Sequence, residues 1–185
     1  MSIRDRLRAA TRDAHERVDR RFSGYDLGKP LDYRCFLEAH HAVLPGCERA
    51  LEASAAGRLI DDWARRVRTP ALLADLDCLG GTQARAAPAG RRLAPAAAFG
   101  MLYVLEGSRL GGAILARRVL DGGSPRCAEA TRYLRHGEGL RLWPSFLAAL
   151  EASIAVHDDP DAVVACAIET FALFEHAPGL LRAAA

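Results

Sequence analysis

Lysine is almost missing from this chain. Lys29 is the only one, so the basic charge is carried by arginine. Arginine stays charged at any ordinary pH and grips carboxylates with two parallel hydrogen bonds, although a GC-rich coding bias also accounts for the total. No run of roughly 18 uncharged apolar residues exists, which argues against a membrane-spanning helix. Met1–Arg6 lacks the apolar stretch of a secretory leader. The five cysteines, Cys35, Cys47, Cys78, Cys127 and Cys166, are odd in number and form no C-x-x-C pair. That argues against a zinc site and a disulfide frame, and it predicts reduced core thiols in a cytoplasmic protein. The formal net charge is only +2, so no nucleic-acid or membrane partner is called for. β-alternation and internal repeats are absent as well.

What is present is helical periodicity over most of 185 residues, half of them apolar. Ser2 and Asp5 have capping-box spacing before Ile3, Leu7, Ala10, Thr11, Ala14 and Val18, predicting a first helix to about Arg21. Pro30 opens a second through Leu51, with a kink expected at Pro45-Gly46. A shorter helix is predicted near 58–68. Thr69-Pro70 reads as an N-cap and first helical position. Gly80 to Arg92 reads as a loop. Pro95 starts a long helix ending at Asp121-Gly122-Gly123. Ser124-Pro125 caps another to about Arg135, and helices at 144–156 and 160–176 follow, the last capped by Asp159. The expected fold is all-α: one irregular helical bundle, a single domain spanning 1–185.

Few residues stand out chemically. His15 lies four residues after Thr11 and three before Val18, so it is expected to point inward with them. A buried neutral imidazole there is either a hydrogen-bonded core-edge residue or a metal ligand. Gly107 and Gly111 stand one turn apart in an otherwise well-formed helix, where each costs about 1 kcal/mol relative to alanine. Such a pair serves close helix packing or leaves bare backbone for a flat ligand. Glu38 and His41 form one E-x-x-H, whereas a di-iron bundle needs several. Trp63 and Trp143 read as packing residues.

Two stretches together resemble the haem oxygenase family, in particular its bacterial, biliverdin-producing branch associated with bacteriophytochromes. Leu7-Arg-Ala-Ala-Thr-Arg-Asp-Ala-His15 is similar to the family's proximal helix. Leu102-Tyr-Val-Leu-Glu-Gly-Ser-Arg-Leu-Gly-Gly112 is similar to its glycine-rich distal helix. Glu169-Thr-Phe-Ala-Leu-Phe-Glu175 is a fainter likeness. The resemblance implies a haem oxygenase-type bundle, with haem as both substrate and cofactor and His15 as its iron ligand. It makes Gly107 and Gly111 the distal wall, and Arg8 and Arg12 partners of the haem propionates. Tyr103 and Phe174 fall among the haem-contacting positions. Ser108 stands where animal and plant relatives carry an aspartate that organises distal water, which leaves open what holds the water here. Arg109 and Ala113 depart from the family's small polar residue and glutamine. The implied products are biliverdin, carbon monoxide and ferrous iron. Electrons would come from a separate ferredoxin or reductase, since no flavin or nucleotide motif is present, and a bacteriophytochrome would accept the biliverdin. The alternatives are a haem carrier that does not open the ring, and a non-haem di-iron oxidase on a similar bundle.

Overall fold

The fold is built around one helix crossing. The structure is a computed structural model that describes residues 2–81 and 92–183, with side chains to Gly179. Its elements in chain order are α1 (Ile3–Phe22), α2 (Pro30–Ala53), 3₁₀ turns at Ala56–Arg58 and Trp63–Arg65, α3 (Thr69–Leu79), α4 (Pro95–Gly122), α5 (Pro125–Glu129), α6 (Leu142–Ala152), α7 (Ile154–Asp158) and α8 (Pro160–Ala183). No strand occurs among the described residues. Helix α8 is the central post: α4, α1 and α2 all pack against it, α3 backs α2, and α6 closes the far side of α4.

The α4–α8 crossing depends on Gly100. A Cβ there would overlap the Val163 carbonyl oxygen and stand 3.0 Å from Ala167 N. Only hydrogen fits where the two backbones meet. Around this point Phe99, Leu102, Leu105, Val163 and Ala167 are buried in a core continuous with Leu7, Tyr33, Leu37 and Leu44. Outside it, α1 is tied to α8 by Arg6 with Asp161 and by Arg17 Nε with Glu175 Oε2 at 3.0 Å.

Several helix boundaries match the sequence reading because local chemistry sets them. Ser2 Oγ accepts from Asp5 N at 3.1 Å, and Asp159 Oδ1 accepts from Ala162 N at 2.9 Å. Helix α2 runs unbroken through Pro45, with residues 41–48 buried on all sides. The other boundaries are corrected by tertiary contacts. Thr69 is not the N-cap of α3. The buried Glu48 carboxylate reaches across from α2 and accepts from Arg68 N, Thr69 N and Thr69 Oγ1, so the helix starts under a distant cap. The helix expected at 58–68 is replaced by two 3₁₀ turns, because Ala55 takes a left-handed conformation and Arg66 spends its backbone carbonyl and side chain on α4 and α6. The helix expected to reach Arg135 stops at Glu129. Tyr33 Oη donates to Ala130 O at 2.6 Å, and Asp75 accepts from Tyr133 N at 2.7 Å, drawing the chain out of helical register. The predicted 144–156 helix is divided at Ser153, whose backbone is extended. Gly80, left-handed at φ 67°, closes α3, and the rest of the predicted loop, residues 82–91, lies outside the described residues. All five cysteines are free thiols.

Gly100→Ala is therefore expected to destabilise the protein by about 1–3 kcal/mol or more, despite alanine's better helix propensity. Thermal unfolding measures this, and an unchanged midpoint would mean that the α4–α8 spacing relaxes freely.

Candidate functional site

A cavity of about 570 Å³ lies between α1 and α4, with α2 and α8 forming its floor. That volume is in the range of cofactor sites. All eight residues singled out in the sequence, Arg8, Arg12, His15, Tyr103, Gly107, Ser108, Gly111 and Phe174, line it.

His15 is not buried, which corrects the expectation. Helix α1 buries Ile3, Leu7, Thr11 and Ala14. His15 follows Ala14 by one residue, about 100° around the helix, so it sits at the stripe's edge. Its side chain is 61% exposed and forms part of the cavity wall. Phe171 meets the imidazole edge-on at 5.7 Å. Nδ1 stands 3.1 Å from Asp19 Oδ2, one turn along. A carboxylate at that distance favours the proton on Nδ1 and leaves the Nε2 lone pair free. Arg8 and Arg12 are exposed beside it at the mouth, and Arg12 has only a 3.4 Å contact with Asp13.

The facing wall is α4. A Cβ at Gly111 would meet nothing within 4 Å, and one at Gly107 would meet only the Trp143 ring at 3.6 Å. Neither glycine serves a close helix crossing. Gly112 does pack, with its missing Cβ 3.1 Å from Leu134 O. Tyr103 and Trp143 stand side by side with ring centres 5.7 Å apart, and Trp143 stacks on Phe146 at 5.6 Å. Trp143 is thus a cavity wall as well as a packing residue. Trp63 is a partly buried packing residue.

Behind this wall is an ion cluster that sequence reading missed. Glu106, 1% exposed, lies between two arginines. Arg66 donates to Glu106 Oε2 at 2.5 Å, to both Asp62 oxygens, to Leu142 O and to Ser145 Oγ. Arg109 donates to both Glu106 oxygens at 2.9 Å, to Arg66 O at 2.6 Å and to His136 Nδ1 at 2.9 Å. Arg68 donates to Leu105 O and Ser108 Oγ, while Ser108 donates to Leu105 O at 2.7 Å. Glu106 and Arg109 lie inside the glycine-rich stretch, but no local pattern pointed to Arg66 or Arg68.

His40 was also missed as a site residue. It lines the cavity among aromatic rings, and its Nδ1–H donates to Phe36 O at 2.9 Å. Burial pushes its pKa down from 6.5 to about 4. His136 is lowered to about 4 by burial and then by the Arg109 guanidinium. Asp75 moves the other way, raised by burial. The neighbouring His41 is buried on α2, away from this cavity, and no group of three or more potential metal-ligating side chains occurs among the described residues. His157 and His176 are exposed and bond backbone carbonyls.

The sequence pattern of the family described as Heme oxygenase matches residues 1–177. A relative named heme oxygenase from Xanthomonas campestris is 38% identical over 120 residues, 64% of this chain and 72% of that one. Among solved structures, the NO- and CO-bound heme oxygenase from Neisseria meningitidis superposes with a TM-score of 0.81 at 23% identity, covering 96% of this chain and 90% of that one. At that identity the likeness is one of fold.

His40 and His136 bear on acid stability. Their folded pKa values lie below the unfolded value, so the contribution is fully present above pH 6.5 and is lost as pH falls from 6.5 towards 4. Asp75 opposes this trend. Urea unfolding at about pH 7 and about pH 5 should show the loss, and His40→Leu should flatten it. Equal slopes for wild type and variant would mean that His40 titrates as an exposed histidine.

Proposed function

The chain belongs to the haem oxygenase family of haem-degrading oxidoreductases, and we propose that it opens haem to biliverdin, carbon monoxide and ferrous iron, with His15 as the iron ligand. The observation that carries this reading is the pairing of walls across one cavity. His15 presents Nε2 from α1, and the side-chain-free backbone at Gly107 and Gly111 faces the same space from α4.

The residues present fit a haem. A flat, largely apolar macrocycle needs a flat, largely apolar slot. Phe22, Phe171, Phe174 and Trp143 supply it. A carboxylate that fixes the free tautomer is the usual companion of a metal-ligating histidine, and Asp19 stands at that position. Haem propionates are carboxylates, and Arg8 and Arg12 at the mouth offer charge-assisted hydrogen bonds to them. When bound, haem is both the substrate and the group that activates dioxygen.

The protein's own contribution is to orient and to exclude. Nε2 of His15 would hold the iron of a bound haem, without the strong electron donation of a thiolate. Across the cavity, Gly107 and Gly111 would let backbone approach the haem where any side chain would stand in the way. Ser108 offers no free hydroxyl hydrogen, since it is donated to Leu105 O, so its oxygen acts as an acceptor. Trp143 and Tyr103 shut the cavity on the α6 side. Electrons would arrive from a separate ferredoxin or reductase. The Glu-Gly-Ser-Arg-Leu-Gly-Gly stretch supports the bacteriophytochrome-associated branch, with such a photoreceptor as biliverdin acceptor. The continuous core supports reading residues 1–185 as a single domain. No helix among the described residues is long and apolar enough to cross a membrane.

The direct test supplies haem, a reductant and air, then follows loss of the Soret band and growth of red absorbance. Haem binding without that change would leave a carrier. His15→Ala should lose the wild-type spectrum and regain it with added imidazole, and an unaltered spectrum would remove His15 as ligand. Gly111→Ala should melt no lower than wild type, because alanine gains about 1 kcal/mol in a helix and meets no atom there. It should bind haem but lose most biliverdin formation. Full yield would remove the distal role.

A further inference from the structure

Arg66 ties together two residues that stand beside one end of the large cavity. Its side chain is fully buried. Nη1 donates to Glu106 Oε2 on α4 and, at 3.0 Å, to Leu142 O on α6, and Nη2 donates to Ser145 Oγ at 2.8 Å. Glu106 immediately precedes Gly107, and Leu142 immediately precedes Trp143. The Trp143 ring in turn lies against Gly107. Its outer edge, Cζ3 and Cη2, stands 3.6 and 3.7 Å from the place that a Gly107 Cβ would take. Behind it the ring stacks on Phe146, which is wholly buried and packs on Phe99 beside the α4–α8 crossing. Tyr103 flanks it at 5.7 Å. The indole has little freedom to swing away, because Arg66 holds the start of its helix and close-packed core holds its face.

The two ends of the cavity differ. Along α4 its lining runs from Tyr103 to Leu115, about 18 Å at 1.5 Å per residue. At the Leu115 end, His40, Gly112 and Tyr133 also border a small second cavity of about 50 Å³ behind α4, so free space continues there. At the Tyr103 end the space stops at Trp143, which is backed by Phe146. A flat ligand therefore meets a hard stop at one end and slack at the other. Its position along α4 is set by the stop.

We propose that Trp143 is a specificity-determining residue for haem opening: as the end stop of the cavity, clamped by Arg66, it fixes how far haem lies towards α6 and how the ring is turned in its own plane, and so which of the ring's bridging carbons is lost. This rests on the reading of the large cavity as the haem site. The bridging carbons are chemically alike, but the edges of the ring are not. Some carry methyl and vinyl groups, and one side carries the propionates. An edge laid against a flat indole has to be apolar and to present groups that fit beside it. Turning the ring in its plane brings different substituents to Trp143 and a different bridge to the bare backbone at Gly111. Selection by such a wall is a difference in fit between alternative seats, and it asks for no catalytic group on Trp143.

The test compares wild type with Trp143→Ala, Trp143→Phe and Ser145→Ala. Proton NMR of the ring methyls in the ferric cyanide complex shows which seats haem occupies, without turnover. Separation of the biliverdin isomers shows which bridge is lost. Trp143→Ala should still bind haem. It should change the ratio of seats by about threefold or more, and the isomer ratio should follow. Trp143→Phe keeps a flat ring and should stay close to wild type. Ser145 does not line the cavity, so Ser145→Ala acts only through the clamp. It should move both ratios in the same direction as Trp143→Ala, by less. Should the alanine variant fail to fold, Trp143→Leu keeps apolar contact with Phe146 without the flat edge and carries the same expectation. Unmoved seats and isomers in a Trp143 truncation that folds and binds haem would overturn the proposal and leave Trp143 a packing residue. Unmoved ratios in Ser145→Ala beside a clear shift in Trp143→Ala would overturn the clamp. If wild type binds haem yet forms no biliverdin, the oxygenase reading fails, and the methyl spectrum still decides whether Trp143 sets the seat. Absence of haem binding by wild type would overturn both.

Discussion

The Glu106 carboxylate, buried between the guanidinium groups of Arg66 and Arg109, is the contact on which the rest of the site depends. Removing three charges from water is expensive, and Coulomb attraction repays it only when every donor and acceptor is used. That condition is met. Both Glu106 oxygens accept from Arg109, and one also accepts from Arg66. Arg66 spends its remaining hydrogens on Asp62, Leu142 O and Ser145. Loss of one partner from such a cluster strands a buried charge, a cost of about 3–5 kcal/mol. The cluster therefore stiffens the middle of α4 from outside, where Gly107, Gly111 and Gly112 would weaken it. It also fixes the segment that carries Arg68 and the turn that carries His136, and both residues face the small cavity.

This arrangement divides the glycines of α4 into two kinds. Gly100 and Gly112 are spacers, and their missing side chains make room for Val163 and for Leu134 O. Gly107 and Gly111 make room for nothing in the protein itself. Helix stability is given up at those two positions, both of which line the large cavity. The same division holds for the histidines. His15 sits on an exposed helix edge beside the Asp19 carboxylate, on the wall of the large cavity. His40 sits in an aromatic cage, kept neutral and confined to one tautomer. One residue type occupies two environments, because α1 leaves His15 at its exposed edge while the rings around His40 enclose it.

Signals that span a few neighbouring residues were legible in the chain alone. The 3.6-residue periodicity fixed an all-helical chain. Local caps at Ser2, Ser124 and Asp159 fixed three helix starts, and the family-like stretches pointed to Arg8, Arg12, His15, Tyr103, Gly107, Ser108, Gly111 and Phe174, which are among the residues that line the large cavity. Whatever depends on partners far along the chain emerged only once the helices were packed. Glu48 caps α3 from 21 residues away. Asp75 ends α5 early from 58 residues away. Arg66 meets Glu106 across 40 residues, and His40 meets Tyr133 and Phe174 only because α2, α8 and the 131–134 segment converge. Such pairings leave no periodic trace, since each partner alone is an ordinary arginine, acid or histidine. The depth of His15 escaped for the opposite reason. A shift of one residue turns a helix position by about 100°, so spacing alone cannot separate the buried stripe from its exposed edge, and only the packing of α1 against α8 decides it.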